Sequence, residues 1–401
     1  MSTVGQNGRV AESAAEPVLS EAEADLATDL LAGAWGERAE VSAAELIWNR
    51  RHIVRLHLGS GRTAVLKRRE DRALQSGQGR RFGVELAVLE YLNGMPVPVA
   101  PRLLGADPDA GLLLIEDLGA GTSLADSLLA GDRARAEAGL VAYARALGAL
   151  HAWSMGRPGD LADLLARHAP GAARSPTWLG AVESGRDAFL DEATRLGLPT
   201  GGVAEEISEV TALLTGPVYL GLVHGDACPD NVHLADGVCR IFDFETSGWG
   251  AVALDAAYLL APFPSCWCFA RLPAGVAAPA VAAYRGCLHD AGVELGPDWD
   301  AVTAAALAAF IIARGRVIGR GLDEDPRWGT ATMRPRMLTW LRTFSEAASR
   351  TGVLPRLADV SAALHDQLSQ RWPGLVIPEY PALAQPGAVA LPLPDWWPPK
   401  D

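Results

Sequence analysis

The spacing of apolar positions changes character once along the chain, near residue 120. The first 19 residues are small, polar and aperiodic, which predicts a disordered tail. Ser20-Glu-Ala-Glu23 has capping-box spacing and opens a predicted helix that runs to about Trp35. Short strands are predicted at Val41–Trp48, His52–Leu58 and Thr63–Lys67, with Gly59-Ser-Gly61 as the turn between the last two. Phe82, Leu86, Leu89 and Leu92 fall on one side of a helix, and Leu103–Gly105 and Leu112–Ile115 read as two further strands. Residues 20–116 therefore predict a twisted sheet with one long helix.

Beyond Gly119-Ala-Gly121 the period becomes helical. Helices are predicted at Ser123–Leu129, Glu137–Trp153, Trp178–Arg195, Val203–Leu214, Pro279–Ala291 and Asp300–Arg320. Strand signals return only around residues 218–245. Eight prolines among residues 373–401, with Trp396 and Trp397, exclude a regular helix there and leave either a strap across the body or a disordered end. The class is α+β: a sheet-bearing first region and a mainly helical second one.

Charge narrows the partners. Residues 1–115 carry 13 Lys/Arg against 15 Asp/Glu, so most of the net charge of −13 lies in the second region. That balance does not suit a nucleic-acid backbone, which needs clustered cations to displace counterions; it suits a cationic ligand or simply a soluble surface. Five cysteines form no disulfide-like framework, and the start has no apolar signal segment, so a reducing, cytoplasmic setting is expected. Ala301–Ala313 is too short an apolar stretch to span a bilayer, and no membrane role is expected.

The candidate chemistry lies in Leu222–Glu245. Asp236-Gly237 is a two-residue hairpin signal, and Val232, Leu234, Cys239 and Ile241 supply alternating apolar flanks. Pairing outward from that turn sets Asn231 against Phe242, so Asn231 and Asp243 arrive at one end of the hairpin. Asp226 precedes Asn231 by five residues, on the loop that enters it. Two carboxylates and an amide converging in this way fit phosphoryl transfer, in which hard oxygen ligands hold Mg²⁺ and another carboxylate orients the acceptor hydroxyl. Asn231 and Asp243 are the candidate metal ligands and Asp226 the candidate base. Upstream, Thr63-Ala-Val-Leu-Lys67 is close to a kinase strand-three pattern, and Glu85, 18 residues on, is placed on a helix to pair with Lys67.

With His224-Gly-Asp226-x-x-x-x-Asn231 followed by Asp243, the chain resembles the aminoglycoside phosphotransferase and choline-kinase-like family over about residues 40–345. The resemblance implies a bilobal protein-kinase-like fold. Its parts would be an N-lobe over 20–116, a hinge over 117–122, a helical C-lobe over 123–350, and a C-terminal helix with a Pro/Trp-rich tail over 351–401. It implies ATP or GTP with Mg²⁺, and adenine held by the hinge backbone at Glu116 and Leu118. His224 is expected to fix the catalytic loop and Asp255 to brace it; Glu245 either aids the metal site or lines the cleft. No glycine-rich loop precedes Lys67. The corresponding bend is Trp48–His52, where Asn49, Arg50 or Arg51 could contact phosphate or simply be exposed. Cys266-Trp-Cys268 is expected to be a pair of buried thiols.

The acceptor is expected to be a hydroxylated small molecule. Acids at 187, 191, 192, 205, 206, 209 and 323–325 would draw an aminoglycoside-like cation, whereas a choline would need an aromatic cage from Trp178, Trp249, Trp267 or Trp328. A peptide or protein Ser/Thr kinase is the second reading, its partner surface being the basic run Lys67–Arg72 with Arg80-Arg81 and the C-terminal tail. A nucleotide-binding pseudokinase is the third, favoured only by the missing glycine loop.

Overall fold

The computed structural model describes residues 17–47, 50–69, 77–171, 177–261, 263, 265–273, 275–394 and 396, the side chains of 77–79 and 177–178 excepted. Helix α1 (Glu21–Trp35) starts at the expected capping box: the Ser20 hydroxyl accepts from Glu23 N–H, and Glu23 reaches back to Ser20. Strands β1 (Val41–Ile47), β2 (Arg50–Leu58) and β3 (Thr63–Arg68) follow, then α2 (Gly77–Leu92), β4 (Leu103–Asp107) and β5 (Leu112–Glu116). The five strands form one antiparallel sheet in the order β1-β2-β3-β5-β4.

Alternation along these strands makes two faces. Val54, Leu56, Ala64, Leu66, Leu112 and Leu114 pack against Ala27 and Leu31 of α1. Val65, Leu113 and Ile115 face the other way, into the main core with α2. Lys67 pairs in register with Leu113, so it shares that inner face and points at α2.

The second region is helical, as its periodicity predicts: α3 (Leu124–Leu129), α4 (Arg133–Ser154), α5 (Pro158–His168), α6 (Thr177–Arg195) and α7 (Val203–Thr215). Between them and the later helices come β6 (Leu220–Val223), β7 (Val232–Ala235), β8 (Val238–Ile241) and β9 (Gly248–Ala251), paired as β6–β9 and β7–β8. Helices α8 (Ala253–Ala256), α9 (Ala277–Asp290), α10 (Asp298–Ile312), α11 (Gly315–Asp323), α12 (Met333–Thr351) and α13 (Pro355–Arg371) complete the body. Among the described residues no single helix is long and apolar enough to cross a membrane.

Two expectations need correction here. Asp300–Arg320 is not one helix: α10 and α11 meet at a 46° bend at Ala313-Arg314. The apolar period continues across the bend, so periodicity alone could not reveal it. The break lets α6 approach, because a Cβ on Gly185 would lie 2.0 Å from Ile312 O and one on Gly315 would lie 2.5 Å from Phe189 N. The second correction is chemical. Cys228 and Cys266 form a disulfide, while Cys239, Cys268 and Cys287 are free.

Of the Pro/Trp-rich end, residues 373–394 run along the body. Tyr380 and Leu383 are fully buried, Arg271 pairs with Glu379, and Trp396 packs edge-on against Trp267. Where described, this segment is the strap of the two alternatives. Residues 1–16 of the expected disordered tail, and Asn49 at the β1–β2 turn, lie outside the described residues. Val18 and Leu19, also assigned to that tail, instead pack on the outer core of the sheet.

Candidate active site

The hairpin forms as its turn residues dictate. Asp236 and Gly237 both take left-handed backbone (φ 50° and 77°), the geometry of a tight two-residue turn. Ala235 then faces Val238 and Val232 faces Ile241. Phe242 N–H donates to Asn231 O at 3.0 Å, which extends the ladder and brings Asp243 beside Asn231. On the entering side, the Asn231 amide nitrogen donates to Asp226 O at 2.9 Å and lies 3.5 Å from the Asp226 carboxylate. Asp226, Asn231 and Asp243 are thus gathered at one end of a single local unit.

A second layer holds this loop. The Asp255 carboxylate, 1% exposed, accepts from His224 N–H (2.6 Å), Gly225 N–H (3.1 Å) and His151 Nε2 (3.2 Å). His151 Nδ1 in turn accepts from the Tyr284 hydroxyl at 2.8 Å. His224 donates from Nε2 to Phe242 O, and its Nδ1 accepts from Asp226 N–H. Its ring therefore ties the His224–Asp226 loop to the strand leading into Asp243. Gly225 has φ 81°, and a Cβ there would sit 2.6 Å from Thr246 O, so only glycine fits between His224 and Asp226.

The sheet contributes the counter-charge. Lys67 Nζ donates to both Glu85 oxygens (2.6 and 2.8 Å) and to Asp243 Oδ1 (2.9 Å). Burial disfavours the ammonium, but Glu85 and Asp243 outweigh it and hold its pKa above the ordinary value. Burial pushes Glu85 upward despite Lys67. For Asp243 burial acts in the same direction, yet Lys67 prevails and the carboxyl sits below its usual range. Asp243 itself has φ 69°, a left-handed conformation uncommon for a non-glycine residue. Asp226 differs: burial, helped by the nearby charges of Asp230 and Asp243 and resisted by His224, pushes it up to about 6. One carboxylate is held ionised beside a lysine, and the other is left poised nearer neutrality.

At the far edge of β5, Glu116 accepts from Arg102 N–H through its side chain. Its own N–H donates to Arg102 O at 2.9 Å. Leu118 follows Asp117, whose carboxylate is fixed by Arg55 at 2.8 Å. Glu245 pairs with Arg81 of α2 at 3.0 Å, outside the Lys67 contacts.

Several residues lay beyond sequence reasoning. His151 is one histidine on an apolar helix, and only the tertiary fold sets it against Asp255. The Cys228–Cys266 pair spans 38 residues and leaves three cysteines over, so no spacing signalled it. Its Cys228 Sγ lies 3.0 Å from Asp226 Oδ1. Trp267 Nε1 donates to Asp230 at 2.8 Å, so that tryptophan braces the loop between Asp226 and Asn231. Of the other tryptophans considered for a cage, Trp249 lines an apolar cavity with Leu161 and Leu220 and Trp328 is exposed, while the Trp178 side chain lies outside the described residues.

A five-stranded sheet carrying a Lys–helix Glu pair, set over a helical region whose hairpin presents Asp, Asn and Asp, defines a phosphotransferase with the protein-kinase-like fold. Residues 48–292 match the model of the phosphotransferase enzyme family, APH, and this chain belongs to that family. It is an enzyme of phosphate transfer to a hydroxyl group. No curated protein matches the sequence. Similar solved structures include an aminoglycoside phosphotransferase from Alicyclobacillus acidocaldarius (14% identity, 82% of this chain and 93% of that one, TM-score 0.43). Others are the macrolide 2′-phosphotransferase MphH from Brachybacterium faecium (16%, 76% and 94%, 0.43) and a choline/ethanolamine kinase family protein from Mesorhizobium loti (16%, 85% and 99%, 0.40).

Proposed function

We propose that this chain is an ATP- and Mg²⁺-dependent kinase of a hydroxylated small molecule, with Asp226 as the base. The observation that carries the reading is the division of labour between two half-buried carboxylates. Asp243 is ionised against Lys67, and Asp226 is tuned toward neutrality at the hairpin mouth.

The donor set fits a hard divalent cation. Asp243 offers carboxylate oxygen, and Asn231, whose nitrogen is spent on Asp226 O, keeps its amide oxygen for a ligand. Such an ion would neutralise charge on the transferring phosphate. Lys67, oriented by Glu85, reaches the nucleotide phosphates, and the backbone at Glu116 and Leu118 meets adenine. In the reaction the acceptor oxygen bonds to the γ-phosphorus while the bond to the β–γ bridging oxygen breaks and ADP leaves. The hydroxyl proton passes to Asp226. Positioning and charge neutralisation carry this step, so the bracing by Asp255 and His224 matters for rate.

The peptide-kinase reading loses support at its two surfaces. Lys67 and Arg68 are engaged with Glu85 and Glu23, Arg69 donates to Pro108 O, and Arg81 pairs with Glu245. The tail buries Tyr380 and Leu383, so it is part of the body. Truncating it would expose core and could not isolate a docking function. The acidic clusters also weaken as a site for polycations. Glu206 accepts from the N–H groups of Arg356 and Leu357, Glu192 pairs with Arg195, and Asp325 accepts from Arg334 N–H.

The test is transfer of HPO₃ from Mg·ATP, read by mass spectrometry on a hydroxylated metabolite and antibiotic panel and separately on a Ser/Thr peptide pool. Asp226→Asn should reduce transfer about 10²–10⁴-fold, the usual contribution of a general base. Product on peptides alone would favour the protein-kinase reading, and full activity in Asp226→Asn would remove Asp226 from its role.

A further inference from the structure

The Cys228–Cys266 pair has a neighbour that a purely structural crosslink does not need. Cys228 lies two residues after Asp226 and opens the short turn Pro229–Asn231, while Cys266 precedes Trp267. Both cysteines are buried. Their sulfurs and a carboxylate oxygen of Asp230 all lie within 4.8 Å of one another. Trp267 Nε1 donates to Asp230 Oδ2 at 2.8 Å and fixes that carboxylate. Its other oxygen, Oδ1, is buried and has no hydrogen-bond partner among the described residues. A desolvated carboxylate oxygen without a donor costs free energy, so the position asks for a cationic partner. Cys228 Sγ is also 3.0 Å from Asp226 Oδ1, and Asp226 is half-buried, so the cluster opens on the cleft.

In the disulfide form the two sulfurs are neutral and bonded to each other, so they are poor ligands. Reduction changes the donor set. A dithiol reductant passes two electrons to the S–S bond and closes its own disulfide, while Cys228 and Cys266 take up its two protons. A divalent ion then displaces both protons to solvent and meets two thiolates and the Asp230 carboxylate. Thiolates on one tetrahedral zinc stand about 3.8 Å apart at Zn–S bonds of about 2.3 Å. The two Cα atoms are 5.8 Å apart, so rotation of the side chains supplies that separation. The fourth position falls toward Asp226 Oδ1, the oxygen already in contact with Cys228. Sulfur ligands select Zn²⁺ over Mg²⁺, so this cluster does not compete with Asn231 and Asp243 for the hard ion.

We propose that reduced Cys228 and Cys266, with Asp230, form a site for a thiophilic divalent cation of the Zn²⁺ class, and that an ion there silences transfer by drawing Asp226 into its coordination. The silencing rests on the reading of Asp226 as the base; the binding does not.

The probes are Co²⁺ and Zn²⁺, added in excess Mg²⁺ to the full chain, either oxidised or reduced with dithiothreitol and desalted without air. Binding is read from the thiolate-to-cobalt charge-transfer band and its displacement by Zn²⁺, folding by circular dichroism, and transfer on the acceptor returned by the panel above. Reduced wild type should take up one Zn²⁺ per chain, half-saturating at about 1 µM or below, and oxidised wild type none. Transfer by the reduced enzyme should fall about 10²-fold at full occupancy and return once the ion is chelated and Mg²⁺ restored. Asp230→Asn keeps both thiols and an acceptor for Trp267, and should bind about 10–100-fold more weakly; reduced Cys266→Ser should lose at least as much. Asp230→Asn retains the disulfide, so it carries the test even where Cys266→Ser does not fold. No cobalt band in reduced wild type, equal binding or equal inhibition in the two redox forms, or unchanged affinity in Asp230→Asn would overturn the proposal. Tight binding with full transfer would overturn the silencing. Persisting transfer in Asp226→Asn would instead refute the base, with the cobalt band still reporting the site.

Discussion

Asp255 is where the fold stakes most on one side chain outside the chemistry. Its carboxylate accepts three hydrogen bonds in a fully desolvated position, two of them from the backbone N–H groups of His224 and Gly225. Neither N–H has water to turn to if the carboxylate is removed. Each buried group left unsatisfied costs about 1–3 kcal/mol, so the two stranded N–H groups mean that Asp255→Ala should destabilise by about 2–6 kcal/mol, before any loss at His151. Total stabilities run about 5–15 kcal/mol, so this is a large share. Asp255→Asn keeps one oxygen but sets an NH₂ against a backbone N–H, and should lose about half as much. Urea unfolding at constant m-value measures the stability change, and steady-state transfer measures the second consequence, a lower kcat as the His224–Asp226 loop loosens. An Asp255→Ala protein within about 1 kcal/mol of wild type and with full kcat would refute the bracing argument.

Other expectations follow from the same contacts. Lys67→Met strands the buried Glu85 and should cost about 3–5 kcal/mol, whereas Lys67→Met with Glu85→Leu should recover most of that; a double-mutant cycle by urea unfolding decides. Glu23 is held down to about 2, chiefly by its hydrogen bond from Arg68. Its stabilisation, present above the ordinary glutamate value of about 4.3, should fade as pH falls toward 2, so the Tm gap between wild type and Glu23→Gln should close over that range. Closure on raising the pH instead would contradict the sign. The Cys228–Cys266 bond closes a 38-residue separation, and Cys266→Ser should lose about 2–4 kcal/mol. Alkylation of unreduced, denatured protein should label three cysteines; five labels would show the pair is open.

Much of the site was legible because it is local. Asp236-Gly237 sets a turn, the turn sets a register, and the register carries Asn231 to Asp243 without knowledge of the rest of the chain. The Lys67–Glu85 contact needed only strand and helix direction across 18 residues. What stayed hidden depends on long-range packing. His151 and Asp255 are 104 residues apart, Arg133 of α4 reaches Leu383 O across 250, and neither link leaves a periodic trace. Helix α5 was not among the predicted helices; it opens on Pro158, and Pro is at home in a first helical turn. The bend at Arg314 was missed because burial all round α10 erases the amphipathic signal on the side that leads into it: twelve of the fifteen residues of α10 are buried.

The most direct test of the central claim is the comparison of wild type with Asp226→Asn in the Mg·ATP transfer assay, with ATP binding measured on the same samples. The account predicts a phosphorylated small-molecule product from wild type, little or none from Asp226→Asn, and near-equal nucleotide affinity in the two. Equal turnover, or loss of nucleotide binding in place of turnover, would contradict it.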